Sequence, residues 1–312
     1  MRAVRVIAED GPGALVVEDL PEPDGELVVG VRAAGVSFPD LLMTRGEYQV
    51  RQPLPFTLGW EAAGDVVRAP AGSRFSPGDR VITLTFGAHA EQVAAPPETT
   101  FALPDSLSYE EGAALPLNYL TAVAALERRG RLRPGETVLI HGAAGGVGTA
   151  TIQVAKALGA NVIASVSTDA KAEIATGAGA DRVVVGEDFR SQLAEPVDMI
   201  VDPVGGTERF KESLRALKTE GRLVVVGFTS GEIPEIRVNR LLLRNVDVCG
   251  CSFNVLAEDG AGFGEPMGRL SELVETGALK PVVGSVHPLA DTPAALRELD
   301  ERRATGKVVV KP

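Results

Sequence analysis

Cysteine and histidine are scarce in this chain of 312 residues, which has two cysteines and three histidines. These counts exclude a disulfide-stapled scaffold, a zinc-finger array and most polynuclear metal sites. No apolar run approaches the roughly 18 residues that a membrane-spanning helix needs. The N-terminal sequence MRAVRVIAEDGPG also lacks the uninterrupted apolar segment of a signal peptide. We therefore expect a protein of the reducing cytoplasm.

The sequence also has fewer basic residues than acidic ones. Acidic residues outnumber basic ones by 42 to 31, which gives a formal net charge of −11. Nucleic acids and anionic membranes bind through basic patches, so we expect neither as a partner. Hydrophobic residues make up 45% of the chain, which is enough for a sizeable core. At roughly 150 residues per domain, the length predicts two domains.

The first third of the chain has the pattern of β-structure. Short valine-rich runs such as RAVRVIAE and ELVVGVRAAGVS alternate with Pro and Gly turn signals. This pattern is typical of an irregular, mostly antiparallel barrel or sandwich. The segment from Ser106 to Leu132 then shows helical spacing, and Pro116 is expected to divide it into two helices.

The centre of the chain changes to alternating strands and helices. From Glu136 to about Gly250, buried runs such as TVLIH and VDMIV alternate with helical runs such as VGTATIQVAKALGA. Such alternation indicates βαβ units and a parallel sheet. We predict an α/β Rossmann domain, a doubly wound parallel sheet, at residues 119–252. It would be nested within a β-rich domain formed by residues 1–118 and 253–312.

The sharpest local signal is a glycine-rich turn between the TVLIH strand and the helix that follows it. Gly142, Gly145 and Gly148 recur at every third position. Glycine adopts positive φ in such a turn, lets a pyrophosphate approach the backbone and allows the helix to lie close to the strand. The helix N-terminus then presents free N–H groups to the phosphates. Because the turn begins a series of βαβ units, we interpret it as a dinucleotide-binding turn.

The end of the second Rossmann strand bears on the choice of cofactor. NAD-binding folds usually place Asp or Glu there, where it binds the ribose 2′-hydroxyl. Here the strand Asn161–Val166 is followed by Ser167 and Thr168, with Lys171 shortly after. Two hydroxyls and a cation suit a 2′-phosphate, which favours NADPH. The alternative is that Asp169 binds the ribose and Lys171 is a solvated helix residue.

Several segments resemble one enzyme family across the whole chain. They are GVSFPDLLMTRGEY, the GAAGGVG turn, the QVAKALGA helix, the VSTDAK loop and the closing RRATGKVVVKP. Together they resemble the quinone oxidoreductase (zeta-crystallin-like) branch of the medium-chain dehydrogenase/reductase superfamily. The resemblance implies a GroES-like catalytic domain, a Rossmann domain and a cofactor in the cleft between them. It also implies a homodimer joined through the last Rossmann strand, here within LLLRNVDVCGCSF.

The resemblance further implies an enzyme that works without zinc. Zinc-dependent relatives carry metal ligands at the positions that hold Ser37, Trp60–Glu61 and Leu117–Asn118 in this chain. A tetrahedral Zn²⁺ needs three or four N, S or O ligands. Of these residues only the Glu61 carboxylate matches a ligand of the zinc relatives, and one carboxylate would not hold the ion.

The resemblance also suggests where a cofactor would bind, although no side chain is assigned a chemical step. Thr121 is expected on the nicotinamide side, and Phe228–Thr229 in the nicotinamide-ribose region. The phosphate-binding candidates are Gly142, Ala144, Gly145, Gly146, Val147 and Gly148 for the pyrophosphate, and Ser167, Lys171, Arg303 and Lys307 for the 2′-phosphate and its surroundings. Candidates for the acceptor pocket are Ser37, Tyr48 and Tyr119, whose hydroxyls would position a carbonyl oxygen. The alternative for Tyr48 is a packing aromatic.

Two positions depart from the family pattern. Quinone reductases of this family often carry Asn at the position of Ser37, which leaves the acceptor specificity open. They also often have a Tyr after the third Rossmann strand, where this chain has Val185-Gly186-Glu187, followed by Asp188. The charges of Glu187 and Asp188 would weaken a preference for NADPH if they faced the 2′-phosphate.

These features predict an NADPH-dependent, zinc-independent oxidoreductase that transfers hydride to quinones or related small electrophilic carbonyl compounds. Hydride transfer needs no metal ion when the acceptor is already electrophilic. The protein then has to set the distance and orientation between cofactor and acceptor and to exclude water. Two alternatives stay open. One is a reductase of the activated C=C bonds of enoyl or alkenal substrates, and the other is an NADPH-binding protein with little catalysis.

Overall fold

A computed structural model describes residues 1–258 and 262–312 of the chain. The chain divides into two compact units. The first comprises Met1–Leu117, Phe263–Glu275 and Pro281–Pro312, and the second Asn118–Gly262 and Thr276–Lys280. The domain limits 1–118, 119–252 and 253–312 stay a prediction, and residues 259–261 of the last range lie outside the described residues.

The strands and helices of the described residues follow in chain order. The strands are β1 (Arg2–Val6), β2 (Leu15–Asp19), β3 (Val28–Val36), β4 (Phe56–Thr57), β5 (Glu61–Arg68), β6 (Arg80–Leu84), β7 (Gln92–Ala94), β8 (Thr100–Ala102), β9 (Thr137–His141), β10 (Asn161–Val166), β11 (Arg182–Val185), β12 (Val197–Asp202), β13 (Leu217–Val225), β14 (Asp247–Gly250), β15 (Val283–Pro288) and β16 (Lys307–Lys311). The helices are α1 (Phe38–Thr44), α2 (Tyr109–Ala114), α3 (Pro116–Val123), α4 (Gly146–Ala157), α5 (Asp169–Gly177), α6 (Thr207–Ala216), α7 (Asn239–Leu242), α8 (Phe253–Glu258), α9 (Gly264–Glu275) and α10 (Thr292–Asp300).

The first unit is built on β-sheets, as the valine-rich runs predict. In the larger described sheet the strand order is β15-β16-β3-β5-β6-β8, and β7 also pairs with β3. The neighbouring strands are antiparallel except for β15 and β16, which run parallel. A smaller sheet has the order β2-β1-β4. Buried apolar residues of these strands and of the segments beside them, among them Val29, Leu58 and Val308, form the core.

The second unit contains the predicted doubly wound parallel sheet. Its strand order is β11-β10-β9-β12-β13-β14, and all described neighbours in it run parallel. The order reverses between β9 and β12, which is the point where open α/β sheets bind ligands at the carboxyl ends of their strands. Val138, Leu139 and Ile140 of β9 are fully buried, as strands covered on both faces require.

The helix prediction around Pro116 is confirmed. The helix α2 ends at Ala114 and α3 begins at Pro116, where proline fits because the first helical N–H has no intrahelical acceptor. The chain then continues through a π-helical turn at Ala124–Arg129. Among the described residues no helix is long and apolar enough to cross a membrane.

Candidate active site

The phosphate turn, residues 142–148, joins β9 to α4 in the second unit. Gly142 leaves the strand with a φ of +56°, which glycine tolerates because it has no Cβ atom. Gly145 is the N-cap of α4 and its N–H donates to the carbonyl oxygen of Gly142 over 3.0 Å. Glycine offers no side chain to cap the first N–H groups of the helix. These groups carry the partial positive charge of the helix N-terminus and fit a phosphate.

Gly148 fixes the helix against this turn. A Cβ atom added to Gly148 would lie 2.3 Å from the carbonyl oxygen of Gly142 and 2.6 Å from Cα of Ala143. Both are backbone atoms, so they would not move aside easily. A Cβ atom on Gly145 would meet only the Gly142 oxygen, at 3.4 Å. The turn therefore combines tight packing at Gly148 with open space at Gly145, which is the pattern that a dinucleotide-binding turn requires.

The carboxyl end of β10 lies next to the phosphate turn, because the N–H of Ala143 donates to the carbonyl oxygen of Ser165 over 3.2 Å. Ser167 is exposed at this strand end, and Lys171 is half-buried in the first turn of α5. Thr168 caps α5, since its Oγ1 accepts a hydrogen bond from the N–H of Lys171. The structure thus brings Ser167 and Lys171 to the same sheet edge as the turn.

The acidic pair after β11 is partly engaged in its own turn. The Oγ of Ser191 donates to Oδ2 of Asp188 over 2.7 Å, and its N–H donates to Oδ1 over 3.4 Å. The Asp188 carboxylate therefore accepts two hydrogen bonds from Ser191 of the short helical turn at Arg190–Gln192. Glu187 is exposed to solvent. Hydrogen bonding leaves the charge of Asp188 in place, so the effect of both charges on a 2′-phosphate stays a prediction.

Tyr119 belongs to a buried network of the second unit. Its side chain is 1% exposed and its hydroxyl donates to Oε1 of Gln153 over 3.1 Å. The same Oε1 accepts the N–H of Lys280 over 3.0 Å, and the Gln153 amide donates to the Lys280 carbonyl over 2.8 Å. The hydroxyl proton of Tyr119 is thus given to Gln153 in this structure, and the role of Tyr119 in the acceptor pocket stays a prediction. Thr121 is also buried in α3, and its cofactor contact stays a prediction.

The loop that follows β13 carries Phe228 and Thr229. It is hydrogen-bonded to the turn that follows β12: the N–H of Thr229 donates to the carbonyl of Pro203 over 3.2 Å, and that of Ser230 to Val204 over 2.8 Å. Both segments leave the sheet at the carboxyl ends of their strands. The predicted nicotinamide loop is therefore held on the sheet edge that carries the phosphate turn.

Ser37 in the first unit is tied to the helix that it precedes. Its Oγ donates to Oδ2 of Asp40 over 2.5 Å, and its backbone N–H donates to the same oxygen over 2.8 Å. The other oxygen of Asp40 accepts the N–H of Gly59 over 3.2 Å. This is a capping box at the start of α1. The one hydroxyl proton of Ser37 is given to Asp40 in this structure, and the role of Ser37 toward a bound carbonyl oxygen stays a prediction.

Glu61 of β5 and Lys307 of β16 form a buried ion pair between Oε1 and Nζ, with side chains 0% and 3% exposed. The second carboxylate oxygen accepts the N–H of Leu117 over 2.7 Å. Burial raises the pKa of Glu61, and the charge of Lys307 and the Leu117 N–H act against that rise. A Cβ atom on Gly35 would lie 2.6 Å from both Oε1 of Glu61 and Cε of Lys307, so glycine makes room for the pair.

Lys307 of this pair is also one of the predicted cofactor-binding residues. Its ammonium is buried and paired with a carboxylate, and its contact with a cofactor stays a prediction. Arg303 is exposed in the same unit, and its Nε donates to Glu301 over 2.6 Å. The contact of Arg303 with a cofactor stays a prediction.

The polar cluster of the first unit, which we define as Ser37, Asp40, Glu61, His89 and Lys307, does not fit a zinc ion. Ser37 is bonded to Asp40, Glu61 is paired with an ammonium, and Nε2 of His89 faces the carbonyl oxygen of Gly35 at 3.1 Å. A tetrahedral zinc needs three or four N, S or O ligands directed at one point. Within the described part of the chain, no group of three or more His, Cys, Asp or Glu side chains could hold a metal ion.

Tyr48 is the predicted acceptor-pocket residue that lines a cavity. It shares a small cavity of the first unit with Met43, Arg51 and Phe56. Its ring also makes an edge-to-face contact with Trp60, with centroids 6.0 Å apart. That contact agrees with the alternative of a packing aromatic, so the acceptor role of Tyr48 stays a prediction.

Comparison with known families places both parts of the chain in one type of enzyme. Residues 23–105 match the alcohol dehydrogenase GroES-like domain, and residues 146–261 match the family described as zinc-binding dehydrogenase. That description mentions zinc, but among the residues that the structure describes no set of His, Cys, Asp or Glu side chains could hold the ion. The β-rich unit is thereby GroES-like, as the sequence predicts.

Individual relatives agree with these matches over nearly the whole chain. Quinone oxidoreductase-like protein 2 of Mus musculus is 38% identical over 308 residues, which are 95% of this chain and 88% of that protein. Quinone oxidoreductase of Rattus norvegicus is 32% identical over 99% of this chain and 96% of its own length. The quinone oxidoreductase of Thermus thermophilus, whose crystal structures include its complex with NADPH, is 38% identical and covers 100% of both chains with a TM-score of 0.85.

Proposed function

Because this chain belongs to the quinone oxidoreductase branch of the medium-chain dehydrogenase/reductase superfamily, we propose that it reduces quinones or related small electrophilic carbonyl compounds with NADPH. The observation that carries the cofactor assignment is the phosphate turn. It combines the positive φ of Gly142, the close packing of Gly148 and an uncapped helix N-terminus at Gly146. The Thermus relative, which has been crystallised with NADPH, supports the same cofactor.

The preference for NADPH over NADH rests on the end of β10. Ser167 and Thr168 stand where NAD-binding folds place an acidic residue, and Lys171 follows in the first turn of α5. An ammonium and a hydroxyl at a helix N-terminus favour a doubly charged phosphate. Arg303 remains our candidate for a further contact with the 2′-phosphate. Lys307 is less suited, because its ammonium is already paired with Glu61.

NADPH, when bound, supplies a hydride. The chain would bind its pyrophosphate at the start of α4 and keep the nicotinamide side between Thr121 and the Phe228–Thr229 loop. An acceptor that is already electrophilic needs orientation and exclusion of water more than a Lewis acid. Tyr48 is our candidate for a hydroxyl donor to the acceptor. The other two candidates, Ser37 and Tyr119, would first have to give up their hydrogen bonds to Asp40 and Gln153.

The direct test is oxidation of NADPH and of NADH in the presence of p-quinones, 2-alkenals and enoyl-CoA thioesters. We expect the fastest turnover with NADPH and a quinone. Faster turnover of alkenals or enoyl thioesters would favour the C=C reductase. Tight binding of NADPH without turnover of any acceptor would favour a binding protein and contradict both enzymatic functions.

The variant Lys171→Ala tests the 2′-phosphate contact within the same assay. Loss of a charge-assisted hydrogen bond is expected to raise the KM for NADPH about tenfold and to change the KM for NADH less than about twofold. Lys156→Ala is the matched control. Lys156 lies in the last turn of α4, at the end away from the phosphate turn, and pairs with Asp181 over 2.7 Å. Equal effects of Lys171→Ala on the two cofactors would remove the 2′-phosphate assignment.

We further propose that the protein is a homodimer of the reducing cytoplasm. The strand β14 ends the described sheet of the second unit, and the leucines before it, Leu242 and Leu243, are 78% and 76% exposed. Pairing of two β14 edges would cover apolar surface that is unfavourable in water. A sedimentation mass of twice 32.6 kDa is expected, and a monomer at micromolar concentration would contradict the proposal. Both cysteines are free, which suits a reducing compartment.

A further inference from the structure

Asp202 is a buried carboxylate at the carboxyl end of a central strand of the parallel sheet. It is the last residue of β12, and β12 lies beside β9, where the strand order reverses. The register pairs Val201 with Ile140, so Asp202 reaches the same level as the end of β9 from which the phosphate turn departs. Its side chain is 1% exposed.

The Asp202 carboxylate shapes the turn that follows it. Its Oδ1 accepts the N–H of Val204 over 2.8 Å and the N–H of Gly205 over 3.0 Å. Two hydrogen bonds to one oxygen fold residues 203–206, the switch turn, back over the strand end. Gly205 and Gly206 then take φ values of +74° and +91°. One carboxylate oxygen thus determines the course of the chain between β12 and α6.

The switch turn contacts both segments to which we assign the cofactor. On one side, a Cβ atom on Gly142 would lie 2.9 Å from Cγ2 of Val204, so the Val204 side chain packs against the phosphate turn. On the other side, a Cβ atom on Gly205 would lie 2.9 Å from the ring of Phe228. The two hydrogen bonds from Thr229 and Ser230 to the switch turn tie that loop in place.

The second oxygen of Asp202 makes this arrangement costly. Its Oδ2 is buried and has no hydrogen-bond partner among the residues that the structure describes. A buried carboxylate with an open oxygen opposes folding, because it has lost its water without full replacement. Burial also raises the pKa of Asp202, and the hydrogen bonds from Gly205 and Val204 and the charge of Arg209 act against the rise. This unfavourable carboxylate lies between the two segments to which we assign the cofactor, the phosphate turn and the Phe228–Thr229 loop.

We propose that Asp202 is a positioning residue for the dinucleotide, because its carboxylate holds the switch turn in the shape that sets the spacing between the phosphate turn and the Phe228–Thr229 loop. The inference rests on the proposed function, since the cofactor contacts of both segments do. It predicts that Asp202 matters to a ligand that spans both segments and not to a ligand that occupies one.

The experiment measures dissociation constants by fluorescence titration for NADPH and for two fragments, adenosine 2′,5′-bisphosphate and reduced nicotinamide mononucleotide. Asp202→Ala is expected to weaken NADPH about tenfold or more, because the two halves of the site lose their register. Each fragment should change by less than about twofold, since it needs one segment only. Asp202→Asn keeps an acceptor oxygen for Val204 and Gly205, so NADPH binding should return to within about threefold of the unaltered protein.

Asp198→Ala is the matched control at the opposite end of the same strand. Asp198 also accepts a backbone N–H, that of Thr137 over 2.9 Å, and it pairs with Lys218. Its loss should lower the stability and leave the NADPH affinity unchanged. If Asp202→Ala does not fold, Val204→Ala removes the contact with Gly142 while the carboxylate stays, and it should weaken NADPH about threefold.

Two results would overturn the inference. One is an NADPH affinity of Asp202→Ala, or of Val204→Ala if the former does not fold, within about twofold of the unaltered protein. The other is an equal loss for NADPH and both fragments, which would indicate general damage to the unit. The proposed function fails separately: an unaltered protein that binds NADPH and reduces none of the acceptors would refute the reductase, while the binding comparison would still decide the role of Asp202. An unaltered protein that does not bind NADPH would overturn both.

Discussion

The phosphate turn of the second unit and the polar cluster of the first unit present their polar groups in opposite ways. The turn is one contiguous segment, and its chemistry lies in backbone N–H groups at the start of α4. The cluster is assembled from side chains that are far apart in sequence, such as Glu61 on β5 and Lys307 on β16. The turn leaves its N–H donors uncovered, whereas in the cluster Ser37 is bonded to Asp40 and Glu61 is paired with Lys307.

This difference bears on which of the two regions is ready to bind a ligand. Free N–H groups at a helix N-terminus gain from an added phosphate without breaking any existing bond. A buried ion pair would have to lose its partner before it bound anything else, and such a loss is expensive in a medium of low dielectric constant. We therefore expect changes in the polar cluster to affect stability and changes in the turn to affect the cofactor.

The largest expected effect comes from breaking the Glu61–Lys307 pair. Lys307→Met should lower the free energy of unfolding by about 3–5 kcal/mol, because the Glu61 carboxylate is left buried and unpaired. Urea denaturation at pH 7 measures the change. Combining Lys307→Met with Glu61→Gln should cost less than the sum of the two single changes, since no lone charge remains.

Lys311→Met is the control for this prediction. Lys311 lies on the same strand and pairs with Glu110, but its side chain is 48% exposed. An exposed pair contributes roughly 0–1 kcal/mol. If Lys307→Met lowered the free energy of unfolding no more than Lys311→Met, the prediction that the buried Glu61–Lys307 pair is needed for stability would be wrong.

The second prediction separates packing from binding within the phosphate turn. Gly148→Ala places a methyl group against backbone atoms and should lower the free energy of unfolding by about 1–3 kcal/mol, with a loss of NADPH affinity. A Cβ atom at Gly145 meets only one atom, at 3.4 Å, but alanine is a poorer N-cap than glycine, so Gly145→Ala should lower the free energy of unfolding by less than Gly148→Ala, about 0.5–1 kcal/mol. Its NADPH affinity should nevertheless fall, because the methyl group occupies the open side of the turn. Thermal unfolding and NADPH titration of both variants would test this, and unchanged affinity in Gly145→Ala would contradict the binding site.

The phosphate turn could be predicted from the sequence because its requirements are local. A strand, three spaced glycines and a helix are all visible within a dozen residues, and each glycine has a steric reason. The same holds for the break at Pro116 and for the strand β16, whose limits match the KVVVK run.

The hydrogen-bond and ion-pair partners of Tyr119 and Lys307 could not be predicted in this way. Which group a hydroxyl or an ammonium contacts depends on the three-dimensional fold, and the partners of Tyr119 and Lys307 are remote in sequence. The partner of Ser37 is only three residues away, so the capping-box pattern with Asp40 was a usable signal. Asp202 also had one, since it ends a buried strand of a parallel sheet, where ligand-facing residues collect.

The smallest expected effect concerns the buried histidines, of which each unit has one. Burial, together with the charge of Arg209, lowers the pKa of His141 to about 3. Between pH 6.5 and 3 the unfolded chain therefore binds a proton at this residue that the folded chain does not. Stability should fall as the pH falls through this window, by up to about 1.4 kcal/mol per pH unit for one histidine.

His141→Gln should flatten this dependence by about 1 kcal/mol between pH 6.5 and 5.5, as measured by urea denaturation across that range. His89→Gln is the comparison in the polar cluster. Burial lowers the pKa of His89 as well; the Asp40 carboxylate and the Gly35 carbonyl act against this shift, and the charge of Lys307 adds to it. His89→Gln should therefore also flatten the acid dependence. A larger flattening in His89→Gln would mean that the polar cluster, and not the strand beneath the phosphate turn, limits the stability of the protein in acid.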